Sequence, residues 1–437
     1  AGMLIRITRT NNQWSLSQVP QVSSAFIALD PNDGAIKSIV GGYDFTNSQF
    51  NRVTQAKRQI GSNIKPFIYS NAMNNNFTLA TIINDVPITQ WDRSQGSAWR
   101  PKNSPPIYNG LTRLRLGLAQ SKNVMSVKLI QQLGIRNTIS HLTKFGFSKS
   151  DLPYGESLAL GSASVTPLSA VVGYATFANG GFKIQPYFID RVENEQGEVS
   201  FYSQPQVACE QCTLNMNQHS PLVSNSSLPI EFSEQCYLPK ERLAPRIISK
   251  QNAFLVTEMM RSAITGGGNW SKGTGWAGTA WTVANTIKRR DIGGKTGTTN
   301  DSKDTWFTGI TPNLIATTWV GFDSPSRALG KTSKNKNLGK SQIKGREAGA
   351  KTALPAWVYY MAVALNDYPE QTIKVPTGIT TVRIDRATGL LTNRFDYSSR
   401  FEYFETGTQP TKYVEQLEIS GDGSKETVDT LFEEDIF

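Results

Sequence analysis

Strand-like stretches stand at both ends of the main body of this chain with helical patterns between them, and that arrangement limits the possible folds more than any other feature. "SSAFIALDPNDGAIKSIVGGYDF" (23–45) reads as two apolar strands around an Asp30-Pro31-Asn32-Asp33-Gly34 turn, a hairpin signal. From residue 291, "DIGGKTGTT", "DTWFTGI" and "LIATTWVGFD" are alternating strands parted by short turns, which predicts an antiparallel meander. Between these ends the spacing predicts a helix from Ser62 onward, then polar loops to about residue 109. A helical stretch follows over 110–134, interrupted around Ser121. Further helices are predicted at 140–147, at 166–181 with Asn179-Gly180-Gly181 as its stop, at 251–264 and at 353–365. Early strands, intervening helices and a late antiparallel set point to an α+β or three-layer architecture.

The remaining segments are less regular. "YFIDRVENEQGEVSFY" reads as a hairpin turning near Gln196-Gly197. Residues 203–246 form a polar, cysteine-bearing insertion, and 331–351 a basic, glycine-studded loop whose simplest reading is a solvated surface. After about residue 370 comes a polar tail with one hairpin around "RIDRATGLLT" and an acidic end, expected to be peripheral. No internal repeat is visible.

A chain of 437 residues with 38% hydrophobic content and nine Trp can bury a sizeable core, which argues against disorder. Its 45 basic and 35 acidic residues leave a net charge of +10. Nucleic acid is not the expected partner, because the chain has no Arg-rich helix, RNA-binding aromatic signature or zinc-finger spacing. No run of about 18 apolar residues is present to span a bilayer. The opening "AGMLIRITRT" reads as an alternating strand caught mid-domain rather than a signal peptide, so an anchor or another domain is expected upstream. Cys209 and Cys212 form a CxxC, with His219 and Cys236 beyond. The gaps fit no common zinc template, and one disulfide with a leftover thiol, free thiols and metal all remain open at this stage.

The chemistry rests on three short motifs. Only two histidines exist, His141 in a helical pattern and His219 in the cysteine segment; both read as structural, and no G-x-S-x-G is present. An activated serine here therefore needs a lysine. S-x-x-K occurs at Ser62–Lys65, Ser333–Lys336 and Ser341–Lys344, the last two in the basic loop where chance matches are expected. The first stands apart: Ser62 follows Gly61 and precedes an apolar run, and Pro66 is tolerated only in a first helical turn. Positions i and i+3 share a helix face, so Lys65 can reach Ser62, and the helix N-terminus favours negative charge developing on oxygen. Downstream, Ser121-Lys122-Asn123 interrupts a helix, and Lys295-Thr296-Gly297 is the one K-T-G in the chain. The glycines around it mark a strand that another backbone approaches closely.

S-x-x-K, S-x-N and K-T-G in this order, with "FNRVTQAKRQIGSNIKPF", "WRPKN", "LALGSASVTPLSAVVGYATFANGG" and "LPAWVYYM", resemble the transpeptidase domain of class A penicillin-binding proteins. The resemblance covers residues 23 to about 368. Ile60 stands where the family often has proline, and Lys122 where the second motif often has Asp. What it implies is a penicillin-binding/β-lactamase-like fold: an antiparallel sheet flanked by helices, with an all-helical subdomain. It divides the chain into 1–22 as exit strands of a preceding small β domain, 23–368 as the transpeptidase domain carrying the 203–246 insertion, and 369–437 as a C-terminal extension.

The resemblance also implies roles. Ser62 would be the nucleophile and Lys65 its base, its pKa depressed by desolvation or by a nearby cation, for which Lys295 is the candidate. Ser121 would relay a proton to the leaving group, and Asn123 would hold Lys65 and the substrate amide. The backbone N–H groups of Ser62 and Thr298 would form the oxyanion hole, and Lys295, Thr296, Gly297 and Thr298 would bind a terminal carboxylate. Implied partners are peptidoglycan stem peptides, as D-Ala-D-Ala donor and amine acceptor, and β-lactams that acylate Ser62. No cofactor or metal is implied. A membrane anchor and glycosyltransferase domain are expected upstream, placing the domain in the periplasm at a bacterial inner membrane. A β-lactamase is the nearest rival enzyme, and a D,D-carboxypeptidase differs only in accepting water in place of an amine. A β-lactamase needs a glutamate-bound water, usually within E-x-x-L-N, and "GESLALG" lacks the Leu-Asn.

Overall fold

The computed structural model describes residues 5–10, 12–17, 19–92, 97–210, 212, 239–333 and 344–414. Its centre is a five-stranded antiparallel sheet built from both ends of the chain. In chain order the strands are β1 (Ser23–Leu29), β2 (Ile36–Val40), β3 (Gly293–Thr298), β4 (Asp304–Ile310) and β5 (Ile315–Gly321). Across the sheet they run β3-β4-β5-β1-β2. The early hairpin meets the late meander along β5 and β1, with Ile315 opposite Leu29 and Gly321 opposite Ser23. Every residue of β4 is buried, as expected for a central strand covered on both faces.

Helices make the two outer layers. α7 (Gly349–Ala364) covers one face, its Trp357 packing edge-on against Phe307 with ring centroids 5.1 Å apart. On the other side lie α1 (Lys65–Met73), α2 (Leu114–Ala119), α3 (Asn123–Leu133), α4 (Ile135–Lys144), α5 (Pro167–Ala178) and α6 (Lys250–Thr265). Phe67 of α1 is the hub of this layer, ringed by Phe145, Phe147, Tyr174 and Phe177 with centroids 4.9 to 5.3 Å away. α5 begins on a capping box between Thr166 and Ser169, with Pro167 in the first turn, and Gly180 and Gly181 take positive φ just past its end. This is the α+β, sheet-and-helix arrangement expected from the sequence.

Three expectations are corrected. The stretch before Ser121 is not helical throughout: Gly110–Arg113 is a strand paired with Ile82–Asp85, inside what reads as polar loop. Its Thr112 and Arg113 side chains are buried, a tertiary environment that helical spacing does not reveal. α1 does not start at Ser62 but at Lys65, after a 3-10 turn over Gly61–Ile64.

The polar tail is also not peripheral. Its hairpin, β6 (Ile379–Asp385) and β7 (Ser399–Glu405), packs Tyr403 on Phe254 of α6 and buries Glu402 completely among arginines. A glutamate with cationic partners loses its hydrophilic reading, which is why composition misjudged the segment. In the insertion, Cys209 and Cys212 are joined as a disulfide. His219, Cys236, Lys336 and Ser341 lie outside the described residues.

Candidate active site

Three motifs distant in sequence meet at the free edge of β3. Ser62 sits in the 3-10 turn, half-buried, and that turn is held from two sides. Ile60 N and Gly61 N donate to Ala163 O and Gly161 O, each at 3.0 Å, from the "LALGSASV" segment. On the other side the turn lies against β3: a Cβ on Gly61 would stand 2.8 Å from Thr298 O and 3.1 Å from Thr298 N. Gly61 also has φ +56°, a conformation that costs glycine little and other residues more. A Cβ on Gly297 would meet Ile60 O at 2.8 Å, so both motif glycines are demanded by the same close approach.

The strand pattern sets the direction of the Thr298 backbone. Thr299 N donates to Asp304 O at 3.0 Å, across the sheet. Backbone direction alternates along a strand, so the Thr298 N–H and C=O point the other way, to the open edge where the Ser62 turn lies. The Thr298 N–H thus faces the turn that carries Ser62.

Lys65 is fully buried beneath that turn. Its Nζ donates to Ser121 O at 2.8 Å, Asn123 Oδ1 at 2.8 Å, Lys122 O at 3.2 Å and Ser121 Oγ at 3.5 Å, with none of these bonds going to Ser62 Oγ. Lys295, equally buried, donates from Nζ to the same Ser121 Oγ at 2.8 Å and to Thr296 O at 2.8 Å. One hydroxyl therefore lies between two amines. Burial lowers the Lys65 pKa well below its ordinary value, and the Lys295 charge lowers it further. Burial brings Lys295 down to about 7.

Ser121 itself has φ +57°, outside the usual range for a side-chain-bearing residue. The helix interruption read from the sequence is this kink, between the end of α2 and the start of α3. Thr296 Oγ1 donates to Thr279 Oγ1 at 3.0 Å, and Thr298 Oγ1 accepts from Gly349 N at 2.9 Å, which leaves the Thr298 O–H proton free to donate. A cleft of about 260 Å³ opens beside Ser121, walled by Asn103–Pro105, Ile107 and Ala277–Thr279.

Several supporting residues escaped the sequence reading. Asn103 Oδ1 accepts from the Asn123 backbone N–H at 2.9 Å, while its Nδ2 donates to Asp85 Oδ1 at 2.7 Å. Lys122 Nζ pairs with the fully buried Asp85 at 3.0 Å, so the lysine replacing Asp in the second motif points into a structural ion pair. Asn103 lies in the quoted "WRPKN", the one signal available; Asp85 gives none. The two histidine expectations divide: His141 is buried in the helical layer with Nε2 3.0 Å from Ser70 Oγ, and His219 is outside the described residues.

The fold and this site define a class. The model for the penicillin-binding protein transpeptidase domain matches residues 24–341, and the chain belongs to that family. A second model, the C-terminal domain of penicillin-binding protein 1A, matches residues 375–418. Among individual proteins, the chain is 53% identical over 404 residues to penicillin-binding protein 1A of Vibrio cholerae, covering 92% of this chain and 47% of that protein. It is 45% identical over 435 residues to penicillin-binding protein 1A of Escherichia coli, covering 94% and 50%. The crystal structure of penicillin-binding protein 1A from Haemophilus influenzae superposes with a TM-score of 0.79 at 41% identity, over 94% of this chain and 57% of that one. The chain spans about half the length of the curated relatives it matches.

Proposed function

We propose that this domain is a serine D,D-transpeptidase that cross-links peptidoglycan stem peptides through an acyl-enzyme on Ser62. The observation that carries the reading is the Ser121 hydroxyl held between two buried lysines, beside the turn that brings Ser62 against Thr298. The names of the relatives support it by linking the family to penicillin.

In this reading Lys65, desolvated and neutral, takes the Ser62 Oγ proton as the oxygen attacks the carbonyl carbon of the penultimate D-Ala. The oxyanion accepts from the Ser62 and Thr298 N–H groups, each worth roughly 3 kcal/mol of barrier. The C–N bond breaks, and the terminal D-Ala amine leaves with a proton relayed from Lys65 through Ser121. An amine of a neighbouring stem peptide then attacks the ester, gives up its proton along the same path and releases Ser62. Lys295, Thr296 and Thr298 hold the substrate's terminal carboxylate along the open edge of β3, where Gly297 leaves room, and Asn123 holds Lys65 and the substrate amide. β-Lactams, which carry the same carboxylate and a strained amide, acylate Ser62. No cofactor takes part. The domain works in the periplasm, anchored at the inner membrane by a segment upstream, and the Cys209–Cys212 disulfide suits that oxidising compartment.

Fluorescent penicillin tests the reading. The wild-type protein takes up label that persists for many minutes, and Ser62→Ala abolishes it; label surviving that substitution moves the nucleophile elsewhere. With disaccharide-peptide polymer, mass analysis is expected to show cross-linked dimers. Monomers shortened by one alanine and no dimers would instead mark a carboxypeptidase, and rapid loss of label a β-lactamase.

A further inference from the structure

The C-terminal hairpin reaches into the helical layer at one point, and that point leads to Ser121. Glu402 of β7 is completely buried, and its carboxylate receives Arg115 Nη2 and, at 3.1 and 3.0 Å, Arg115 Nε. Arg113 and Arg400 stand at 3.5 Å. Arg115 belongs to α2, and its Nη1 donates to Glu258 O at 3.0 Å and Ser262 Oγ at 2.8 Å on α6. The guanidinium is therefore engaged from both ends, between α6 and the hairpin.

α2 is short, and its last turn carries the site. Ser121 N donates to Leu118 O at 3.0 Å and Lys122 N to Gly117 O at 2.8 Å, so the kink is hung directly on the turn that follows Arg115. Ser121 holds a positive φ there, and a sparsely populated conformation persists only where its surroundings over-determine it. Six residues cannot supply that by themselves, since a helix this short has little stability of its own. Backbone bonds hold its two ends, Leu114 N to Thr81 O at 2.9 Å and Thr279 N to Ala119 O at 3.0 Å, and the Arg115 forks are the side-chain anchor that ties α2 to both α6 and the hairpin.

We propose that Glu402 is a positioning residue for the acylation reaction: through Arg115 it fixes α2, and with it the Ser121 kink that supplies acceptors to both Lys65 and Lys295. This rests on the serine-transpeptidase reading above. It makes the β6–β7 hairpin, within the segment matched by the separate C-terminal family model, a support of the active site, although among the described residues none of that segment lines the cleft. Arginine is required at position 115 because a planar fork serves Glu402 and the α6 groups together, which an ammonium cannot do.

Two variants of the full chain test it, Glu402→Gln, which keeps the shape and removes the charge, and Arg115→Lys, which keeps the charge and removes the fork. Each is assayed at a temperature well below its own melting transition, with the folded fraction read from near-ultraviolet circular dichroism. The expected result is an acylation rate constant with fluorescent penicillin lowered about 10- to 100-fold per folded molecule, as for small misplacements of a reacting group. The apparent dissociation constant of the non-covalent penicillin complex changes less than the rate constant, because Thr296 and Thr298 stand on β3 and Lys295 keeps its bond to Thr296 O. The acid limb of the rate–pH profile shifts as well, because Lys65 loses two backbone acceptors. A lower melting temperature with a wild-type rate and pH profile per folded molecule overturns the proposal, leaving Glu402 a stability residue. Where Glu402→Gln does not fold, Arg115→Lys alone decides by the same two readouts. Wild-type protein that takes no label sinks the functional reading and this proposal together; labelled wild type with unaffected variants sinks only this one.

Discussion

Two ammonium groups cannot both stay charged around one hydroxyl out of water at small cost, and the site exploits this. Lys65 is lowered well below its ordinary value by burial and then by Lys295, and burial brings Lys295 down to about 7. In the proposed reaction, acylation needs Lys65 without its proton and Lys295 with it. The rate therefore rises as pH climbs through the lowered Lys65 value and falls as Lys295 deprotonates, from about pH 7 upward in the free protein. Stopped-flow acylation across pH 4–10 checks this, and Lys295→Arg, which keeps its charge throughout, is expected to lose the basic limb. A basic limb unchanged in that variant would assign it to another group. His141 makes a separate statement about stability. Burial, with Lys144 second, lowers it to about 4 from an ordinary 6.5. Protons then bind the unfolded chain more tightly, so stability is full above about pH 6.5 and falls as pH drops toward 4, by up to roughly 3 kcal/mol. Urea midpoints at pH 7 and 4.5 measure the loss, and His141→Gln is expected to flatten it.

The 3-10 turn before α1 shows how much an element depends on what touches it. Gly61 is pressed between Thr298 on one side and Gly161 on the other, a Cβ on Gly161 coming within 2.2 Å of the Gly61 carbonyl carbon. Gly61→Ala adds a methyl at φ +56° and 2.8 Å from Thr298 O. It is expected to cost about 1–3 kcal/mol in stability and most of the penicillin acylation, read by thermal melting and labelling in parallel. Full labelling in a folded Gly61→Ala protein would show that the turn and β3 can separate without harm. The sequence marks this region well: Pro66 and the apolar run after it require a helix start near Ser62. What it does not carry is the extra turn, because that turn is set by hydrogen bonds to the carbonyls of Gly161 and Ala163, about a hundred residues away. The strand Gly110–Arg113 was hidden for the same reason, its partner being Ile82–Asp85 rather than a neighbour in sequence.

On the scale of the molecule, the sheet joins the first strands to the last, and buried charges rivet the segments between. Arg58, just before the Ser62 turn, pairs with Asp304 at the start of β4 at 2.7 Å, and Trp319 Nε1 donates to the same carboxylate at 3.0 Å. Asp304→Ala leaves Arg58 buried without its partner and is expected to destabilise the fold by about 3–5 kcal/mol. Calorimetry of Asp304→Ala, Arg58→Ala and the double variant checks it, the double being less harmful than the sum of the two. Asp85–Lys122 and Glu402–Arg115 are rivets of the same kind, and neither was legible, since a charged residue in a polar stretch reads as solvated until its partner is known. The local chemistry was a different matter. A hydroxyl three positions before a lysine, a proline that fits only a first turn, a broken helix at Ser121 and glycines on a strand are all constraints that act within a few residues, so they are written where they act. Which backbone meets which, how deeply Lys65 and Lys295 are buried, and that a polar tail completes the core beside α2 are outcomes of contacts between distant segments. Those depend on the sum of packing over the whole chain, and no single stretch of residues contains it.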